Sequence, residues 1–460
     1  MRTVVFLAIA TSCAADAEQD RSAPPDTDTD TDTDTDTDAD TDTDTDPGPS
    51  VIAAGCALTA NALRIACQAT LDPAGTASVV FTASDLPTRT FSATGTELAF
   101  LGWGLAPDTA YDWSIGPFTG TVSTGSLPPE LAAATVVTSG VASGFDAVLY
   151  PMPCSGTDYF AMIDGDGRII WYEPNDVYFQ GIMTGYDWSQ PSLSVLSVNA
   201  SRFEEQHVSG DILLDLAAGG VDFDDAPHHD VARWGDYRYV LFEYPVGNLN
   251  VDGIHVFDGS TRIATWKMGD HFAVPDRGIG DWAHANSVKV TDTGELLLSL
   301  HVFSSVLALD GDPASPTFLD LLWVANGSGS EGLPDPDFLP VVGPGEGFAG
   351  QHNASRHGDD LWVFDNSSQP DSRALRMAID ATNGTLTTTG SWSFDTTCQN
   401  QGGAIPLDAG GLLASCANAS QVWAFSETGI EPDWTLEAHC GPAGGPGSLP
   451  LLRGIPVEVR

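Results

Sequence analysis

The chain has 460 residues, enough for two or three domains, and its 63 acidic and 17 basic residues give a formal net charge of −46. Such an acidic chain repels nucleic acid and anionic membrane surfaces, so both are excluded as partners of its surface. The composition includes 48 Gly, 30 Pro and 12 Trp, and long runs of strong helix formers are scarce. This balance favours an all-β protein over a helical one.

Residues 1–13, MRTVVFLAIATSC, have the pattern of an export signal. Arg2 precedes an apolar stretch, Val4 to Ala10, that is too short to span a bilayer. The ATSC ending resembles a bacterial lipobox, which predicts that Cys13 is lipidated; an ordinary signal with an incidental cysteine is the alternative. Because Ala14 follows in place of aspartate, we expect an exported protein with a lipid anchor in the outer membrane, on its periplasmic or its outer face.

Residues 14–50 are predicted to form an extended, disordered tether. Their central run, residues 26–46, holds 11 Asp and no apolar side chain larger than alanine. Such a segment cannot bury a core, and repulsion between its charges keeps it open. Calcium binding by the run is the weaker alternative, because a linear aspartate repeat lacks the shaped oxygen cage of a tight site.

Six cysteines follow the signal, an even number that predicts disulfides in an exported chain. Two of the pairs that we expect flank plausible hairpins, and the third would join the two ends of the large C-terminal domain. The three pairs are Cys56–Cys67, Cys398–Cys416 and Cys154–Cys440.

Residues 51–128 are predicted to form a small β-sandwich. Five short alternating runs, ASVVFTAS, TRTFSAT, TELAFLGW, AYDWSIG and TGTVSTGS, are separated by turns. The stretch GLAPDTAYDWSI and the GTVSTG after it resemble the end of a fibronectin type III-like module. Such modules commonly serve as spacers, and no chemistry is assigned to this one.

Residues 129–460 repeat a turn-rich strand pair that ends near a tryptophan. Six units of about 55 residues each, one of them without the tryptophan, predict a six-bladed β-propeller. A tandem of sandwiches is the competing fold, and the excess length is expected in loops such as residues 325–350. The marker residues are Trp171, Trp266, Trp323, Trp392 and Trp434.

Three histidines occupy the same repeat position in consecutive units: His229, His284 and His352. The first strand of each blade lines the central channel, so equivalent positions should converge near its mouth. Any one of them alone is more often a structural residue, but three in one register predict a functional site. His228 precedes His229, and neighbours on a strand face opposite ways, so only one of the two should enter the channel. The remaining histidines fall outside this register: His207, His255, His271, His357 and His439.

Two chemistries fit converging histidines. Three imidazoles could bind a metal such as zinc with water as the fourth ligand, as in a metal-dependent hydrolase. Alternatively, one histidine is a nucleophile while its neighbours hold an anionic group. The sequence offers no H-x-H or H-E-x-x-H pair, and the three come from separate blades. We therefore favour the nucleophile and expect no metal.

The segments DWAHANSVKV, GQHNASRHGDDLWVFDN and SRALRMAID resemble the bacterial arylsulfotransferase family. The resemblance covers most of residues 130–460. It implies a periplasmic six-bladed propeller with an N-terminal β domain, which transfers a sulfuryl group from a phenolic sulfate ester to an acceptor phenol without a nucleotide cofactor.

The resemblance also implies roles for individual residues. The family's nucleophile, which forms a sulfo-histidine, matches His352, and its sulfate-holding histidine matches His284. An upstream H-H-D segment matches His228, His229 and Asp230. The positions expected to contact substrate are His228, Asn286, Arg373 and Trp282, and an aryl pocket could be walled by Trp282, Phe303 and Phe348, for which core packing is the alternative.

One departure from the family concerns the strand after the D-W-x-H-x-N-S segment, where the family carries an arginine that grips the sulfate. The sequence LLLSLHVF places His301 there, and we expect it to act with the other catalytic histidines. A histidine is fully charged only below its pKa and lacks the fork of a guanidinium. Compensation by Arg277, Arg356 or Arg373 is one possibility, and a non-catalytic, lipid-anchored binding propeller is another.

Overall fold

The computed structural model describes residues 48–175, 181–187, 190–197, 202–217, 225–275, 280–328, 332–333, 337–343, 346–367, 370–380, 382–398, 401–408, 410–417, 419–440 and 454–459. The predicted signal, the lipidated Cys13, nearly all of the tether and Arg277 lie outside these ranges. In the portion that is described, no helix is long and apolar enough to cross a membrane.

The N-terminal module is a five-stranded antiparallel sheet in which β2 pairs with β1, β3 and β4, and β4 pairs with β5. Its second strand alternates buried and exposed side chains, and the buried set includes Ile65, Val79 and Phe81. The strands are β1 (Ser50–Leu58), β2 (Ile65–Thr82), β3 (Arg89–Gly102), β4 (Ala110–Ile115) and β5 (Phe118–Ser123).

The structure differs from the predicted strand list in two places. The runs TRTFSAT and TELAFLGW belong to one strand, β3, because the pairing with β2 resumes after an irregularity between Thr70 and Gly75. The first strand, β1, carries no strict alternation and was not predicted.

The large domain begins with a short helix, α1 (Pro129–Ala132), and its described residues include a 3₁₀ turn, Met268–Asp270. Its first half consists of β6 (Thr135–Gly140), β7 (Ala147–Pro153), β8 (Asp158–Asp164), β9 (Ile169–Asn175), β10 (Gly181–Asp187), β11 (Ser192–Ser197), β12 (Arg202–His207), β13 (Ile212–Ala217), β14 (Ala226–Trp234), β15 (Tyr237–Val246), β16 (Leu249–Asp258), β17 (Thr261–Lys267) and β18 (Gly280–Asp281).

Its second half consists of β19 (Ala285–Val290), β20 (Glu295–Leu300), β21 (Ser305–Asp310), β22 (Leu321–Asn326), β23 (Phe338–Val342), β24 (His352–His357), β25 (Asp360–Asp365), β26 (Arg373–Asp380), β27 (Thr385–Ser393), β28 (Gly403–Pro406), β29 (Leu412–Cys416), β30 (Gln421–Phe425), β31 (Trp434–His439) and β32 (Ile455–Val457).

These strands form consecutive antiparallel groups of four, which confirms an all-β, propeller-like fold. The groups among the described strands are β32-β7-β8-β9, β10 to β13, β14 to β17, β19 to β22, β24 to β27 and β28 to β31. The tryptophans that mark the repeats all lie on the fourth strand of their group. The count of six blades stays a prediction.

Residues 325–350, expected to be a loop, contain a strand. The segment β23 pairs in parallel with β22 on one side and with β27 on the other, so it joins two neighbouring groups. Its sequence, FLPVV, is apolar, but the proline within it argues against a paired strand, and its side chains alternate between exposed and half-buried.

Strands from the beginning and the end of the large domain pair with each other and close the ring. The first strand, β6, pairs with β31, and the last, β32, pairs with β7. The disulfides Cys154–Cys440, Cys56–Cys67 and Cys398–Cys416 confirm the three predicted pairings.

The N-terminal module packs against this closure. Trp103 of the module lies in one apolar cluster with Leu149, Val457 and Val459 of the ring. Asp146 accepts a hydrogen bond from the backbone amide of Val459 at 2.8 Å and lies 3.6 Å from the Arg89 guanidinium. The module is therefore packed against the paired strands β32 and β7, which we call the seam, and is not a detached spacer.

The apolar cores lie between neighbouring groups and bring their first strands together. One cluster joins Leu241 and Ile254 of the third group to Leu298 and Leu307 of the fourth. As a result β14 contacts β19, β19 contacts β24, and β24 contacts β28. The N-terminal ends of these inner strands carry the histidines singled out in the sequence.

Candidate functional site

Five imidazoles form a continuous row, four of them at the starts of the inner strands and the fifth, His301, just after β20. Successive ring centroids lie 4.9 Å apart from His228 to His229, 4.7 Å to His284, 5.3 Å to His301 and 5.2 Å to His352. The structure thus brings together all four residues predicted to be catalytic, although His284 and His352 are linked through His301. We call this set the histidine row.

The backbone is left-handed at two members of the row. His229 and His284 have φ values of 54° and 55°, whereas in the next unit the positive φ of 50° falls on Asn353, one residue after His352. The left-handed residue therefore coincides with the histidine in the first two units and follows it in the third. Positive φ is uncommon for a residue with a side chain and tends to persist at functional sites.

His284 is the member of the row that forms the shortest contact with a carboxylate. Its Nδ1 lies 2.7 Å from Oδ2 of Asp281, and its backbone amide donates to Oδ1 of the same carboxylate at 3.1 Å. The hydrogen bond and charge of Asp281 raise the pKa of His284, although burial opposes the shift. In return, the imidazolium lowers the pKa of Asp281 against the effect of burial.

The hydrogen bonds around His352 determine its tautomer. The side-chain amide of Asn366 donates to the carbonyls of Cys398 and Gln401, at 2.6 and 2.8 Å. Its oxygen Oδ1 consequently faces Nδ1 of His352, 2.9 Å away, and can only accept. His352 must therefore carry its proton on Nδ1, so that in the neutral ring the lone pair lies on Nε2.

His301 lies between His284 and His352 because the turn after β20 folds back on the start of β19. Its backbone amide donates to the His284 carbonyl at 3.1 Å. Burial and the charge of His284 lower the pKa of His301. Gly350, with φ of 55°, passes so close that an added Cβ would lie 3.3 Å from Nε2 of His301.

His228 and His229 both join the row, contrary to the prediction that only one would. The Nδ1 atoms of the two rings are 2.6 Å apart. Strict alternation fails because the pairing of β14 with β15 is irregular between Pro227 and Val231 and His229 is left-handed. Burial opposes charge on His228, but the carboxylate of Asp252, 3.3 Å from its Nε2, raises its pKa.

Two of the predicted substrate contacts support the backbone around the row. The buried Asn286 donates from Nδ2 to the carbonyl of Gln351 at 2.7 Å, which fixes the residue before His352. Arg373 is also buried and donates to Asp365 at 2.8 Å and to the Gly347 carbonyl at 3.0 Å.

Arg356, one of the arginines that could compensate, lies at the other end of β24 from His352, where its Nη1 lies 2.6 Å from Oε2 of Glu295.

The aromatic residues expected to wall a pocket pack in or against the core. Trp282 and Phe303 are half-buried, meet edge to face at 5.4 Å and lie against the cluster that joins the third and fourth groups. Phe348 is fully buried in the core, where it serves as a packing residue. An open depression of about 560 Å³ lies beside His301, and its lining also includes Ser304, Ser328, Gly350 and Ser367.

Sequence reasoning missed the residues that set proton positions. Asp281 lies three residues before His284, a spacing that could have been noticed. Asn366 lies in the segment FDN, which is part of the family resemblance but carries no assigned role there. Asp252 lies on β16 and Glu243 on β15. Neither belongs to a local sequence motif, so only the fold shows that they lie near the row.

The alternative of a three-histidine metal site finds no support in the described residues, where His229, His284 and His352 do not bring three ring nitrogens within 4.8 Å of one another. The metal-dependent alternative on these three residues therefore lacks its ligand geometry.

No protein-family model matches this chain, and no curated protein is significantly similar to it. Solved structures of propeller-like proteins do resemble it. A Bacteroides caccae protein of unknown function is 12% identical over 61% of this chain and 90% of its own, with a TM-score of 0.41. An inactive virginiamycin B lyase from Staphylococcus aureus, solved with quinupristin, is 13% identical over 66% and 88%, with a TM-score of 0.36.

A putative 6-phosphogluconolactonase from Bacteroides uniformis is 13% identical over 84% of this chain and 97% of its own, with a TM-score of 0.34. These likenesses carry no conclusion about the activity of this chain.

Proposed function

We propose that this protein transfers a sulfuryl group from a phenolic sulfate ester to an acceptor phenol through a sulfo-histidine at His352. The observation that carries the proposal is the hydrogen bond from Nδ1 of His352 to Asn366, which leaves the ring's lone pair on Nε2. A nucleophilic nitrogen at the end of a row of imidazoles suits attack on an anionic ester. No nucleotide cofactor is needed.

In the first half-reaction, Nε2 of His352 attacks sulfur, the S–N bond forms and the S–O bond to the aryl group breaks. The donor phenol leaves as phenolate. The charge that develops on the ester oxygens faces the His284 imidazolium, which Asp281 keeps protonated at 2.7 Å. Asn366 stabilises the positive ring of the sulfo-histidine by accepting from its Nδ1.

In the second half-reaction, the acceptor oxygen attacks sulfur, the S–N bond breaks and His352 is regenerated. The acceptor's proton needs a base, and His301 lies 5.2 Å from His352 between ring centroids. Burial lowers the pKa of His301, which keeps it neutral and able to accept that proton before passing it to solvent. His301 thus acts as a base in place of the family's sulfate-gripping arginine.

The depression beside His301 is where we place the two phenols in turn. The half-buried pair Trp282 and Phe303 can pack on an aryl ring. Export and a lipid anchor at Cys13 would put the site outside the cytoplasm, at the outer membrane, where phenols reach it by diffusion.

The test uses purified protein with 4-nitrophenyl sulfate and an unsubstituted phenol. We expect 4-nitrophenolate release that depends on the phenol, shows ping-pong kinetics and disappears in His352→Ala, while the control His207→Ala behaves as wild type. Mass spectrometry of protein mixed with donor alone should find one SO₃ group on His352. Continued turnover without an acceptor, beyond one equivalent of 4-nitrophenolate per protein, contradicts the proposal and indicates a hydrolase. No release from acidic to mildly basic pH contradicts it and favours a binding propeller.

A further inference from the structure

Two carboxylates face each other beside the histidine row. Glu243 on β15 and Asp252 on β16 are directly paired across the two antiparallel strands. Directly opposed residues point to the same face of a sheet, and like charges in this position repel. Asp252 is fully buried and Glu243 is half-buried, so solvent screens the repulsion poorly. A cation bound between the strands would relieve this repulsion between the two carboxylates.

A buried imidazole completes the group. Nε2 of His228 lies 3.3 Å from Oδ1 of Asp252, but the approach is outside hydrogen-bond geometry. Oδ1 already accepts from the Ala285 amide at 3.1 Å. Within the described part of the chain, neither Nε2 of His228 nor Oδ2 of Asp252 has a hydrogen-bond partner, and both side chains are more than nine-tenths buried. Unpaired buried polar atoms are costly, and a shared ion would satisfy both.

The spacing fits a coordinated ion. One ligand atom from each of His228, Glu243 and Asp252 can be chosen so that all three lie within 4.8 Å of one another. Ligands about 2.0–2.2 Å from a tetrahedral ion are separated by roughly 3.3–3.6 Å, which matches the His228 to Asp252 distance. Glu243 is half-buried and can approach from the solvent side; Asn250 donates to its Oε2 at 3.0 Å.

We propose that His228, Glu243 and Asp252 form a binding site for one divalent transition-metal ion, of which Zn²⁺ is the representative. One nitrogen and two carboxylates suit such an ion, whereas Ca²⁺ and Mg²⁺ prefer oxygen ligands alone. The site is distinct from the three-histidine set, and it does not rest on the proposed sulfuryl transfer.

Such an ion would orient the histidine row. With the ion on Nε2, His228 keeps its remaining proton on Nδ1 and donates to Nδ1 of His229, 2.6 Å away. His229 then carries its own proton on Nε2, where it is a donor to an anion.

The test is isothermal titration of chelator-treated full-length protein with Zn²⁺. We expect one tight site in the wild type, no heat of that event in Asp252→Asn, and at least about tenfold weaker binding in Glu243→Gln, since one of three ligands is lost. The control His207→Gln should bind as wild type. With Co²⁺ in place of Zn²⁺, the wild type and not Asp252→Asn should show visible ligand-field absorption.

Two further variants separate this site from the rest of the row. His301→Ala and His352→Ala should retain the tight site, because neither residue is a ligand. Folding is checked by melting in chelator, where Asp252→Asn should be no less stable than wild type because repulsion is relieved. Zn²⁺ should raise the melting temperature of the wild type but not that of Asp252→Asn. The proposal is overturned if Asp252→Asn binds like wild type, if His301→Ala or His352→Ala abolishes binding, or if no tight site exists.

Discussion

At the scale of single residues, the row works by assigning protons to particular atoms. Asn366 fixes the tautomer of His352 because two carbonyls orient its amide, and Asp281 holds the proton on His284. Neither residue is a nucleophile or an acid in the proposed reaction. Both positioning groups lie within hydrogen-bond distance of the imidazole that they control.

Replacing Asn366 with leucine removes the acceptor for the His352 Nδ1–H while keeping similar volume. We expect kcat to fall about 10²-fold with a smaller change in KM, because the ring then populates the wrong tautomer. Steady-state kinetics with 4-nitrophenyl sulfate measure this. Asn383→Leu, at an exposed turn, is the control, and an unchanged kcat in Asn366→Leu would contradict the assigned tautomer.

Anion binding should depend on pH through His284. Its raised pKa means that the imidazolium persists above the usual range and is lost as pH rises through the raised value. We expect KM for the sulfate ester to increase over that rise, and Asp281→Asn to move the increase to lower pH. The other charged or titratable groups that affect or contact His284 are Asp252, His228, His229 and His301. A KM profile that does not shift in Asp281→Asn counts against this role.

At the scale of elements, the site is held by side chains that reach from one inner strand to the next. Asp230 of β14 accepts from the Val288 amide of β19 at 3.0 Å, and Asn286 of β19 donates to the Gln351 carbonyl at 2.7 Å. Asn353 of β24 repeats the pattern toward Ala404 of β28, at 3.2 Å. These links fix the angular position of each histidine in the ring.

Asp230→Ala breaks the first of these links. We expect a loss of about 2–4 kcal/mol in unfolding free energy, since the Val288 amide and the nearby Lys289 ammonium lose a buried charged acceptor. Urea unfolding followed by tryptophan fluorescence measures it. Asp258→Ala, which removes an exposed carboxylate at the end of β16, should change stability by less than about 0.5 kcal/mol.

At the scale of the whole molecule, closure of the ring decides stability. The Cys154–Cys440 bond spans 286 residues, whereas Cys56–Cys67 spans 11 within the N-terminal module. Cross-links that close long loops restrict the unfolded chain most. The long-range disulfide lies beside the strands that complete the ring.

Replacing both Cys154 and Cys440 with serine should therefore lower the melting temperature of the ring more than replacing Cys56 and Cys67. The expected loss is about 3–5 kcal/mol for the first pair and about 2–3 kcal/mol for the second. Differential scanning calorimetry compares the two double variants. Equal melting temperatures would show that the long loop adds nothing to stability.

The sequence was sufficient for the repeats, the disulfides and the inner-strand histidines, because each leaves a local or periodic mark. It was insufficient where geometry depends on backbone irregularities. The left-handed residue that follows His352, the entry of both His228 and His229, and the pairing of Glu243 with Asp252 all arise from bulges and cross-strand registers that no local pattern encodes. The contact of Asn286 with the Gln351 carbonyl could not be foreseen either, because only the neighbouring strand supplies that backbone.

The packing of Trp103 and Val459 at the seam has a consequence for breakdown of the protein. The strand β32 is short and packs against the N-terminal module. A protease that cleaves the module would therefore release β32 from β7 and open the ring where these two strands pair. Degradation should then proceed in one step, with few long-lived fragments, and the histidine row would be dismantled together with the distant module that was cut.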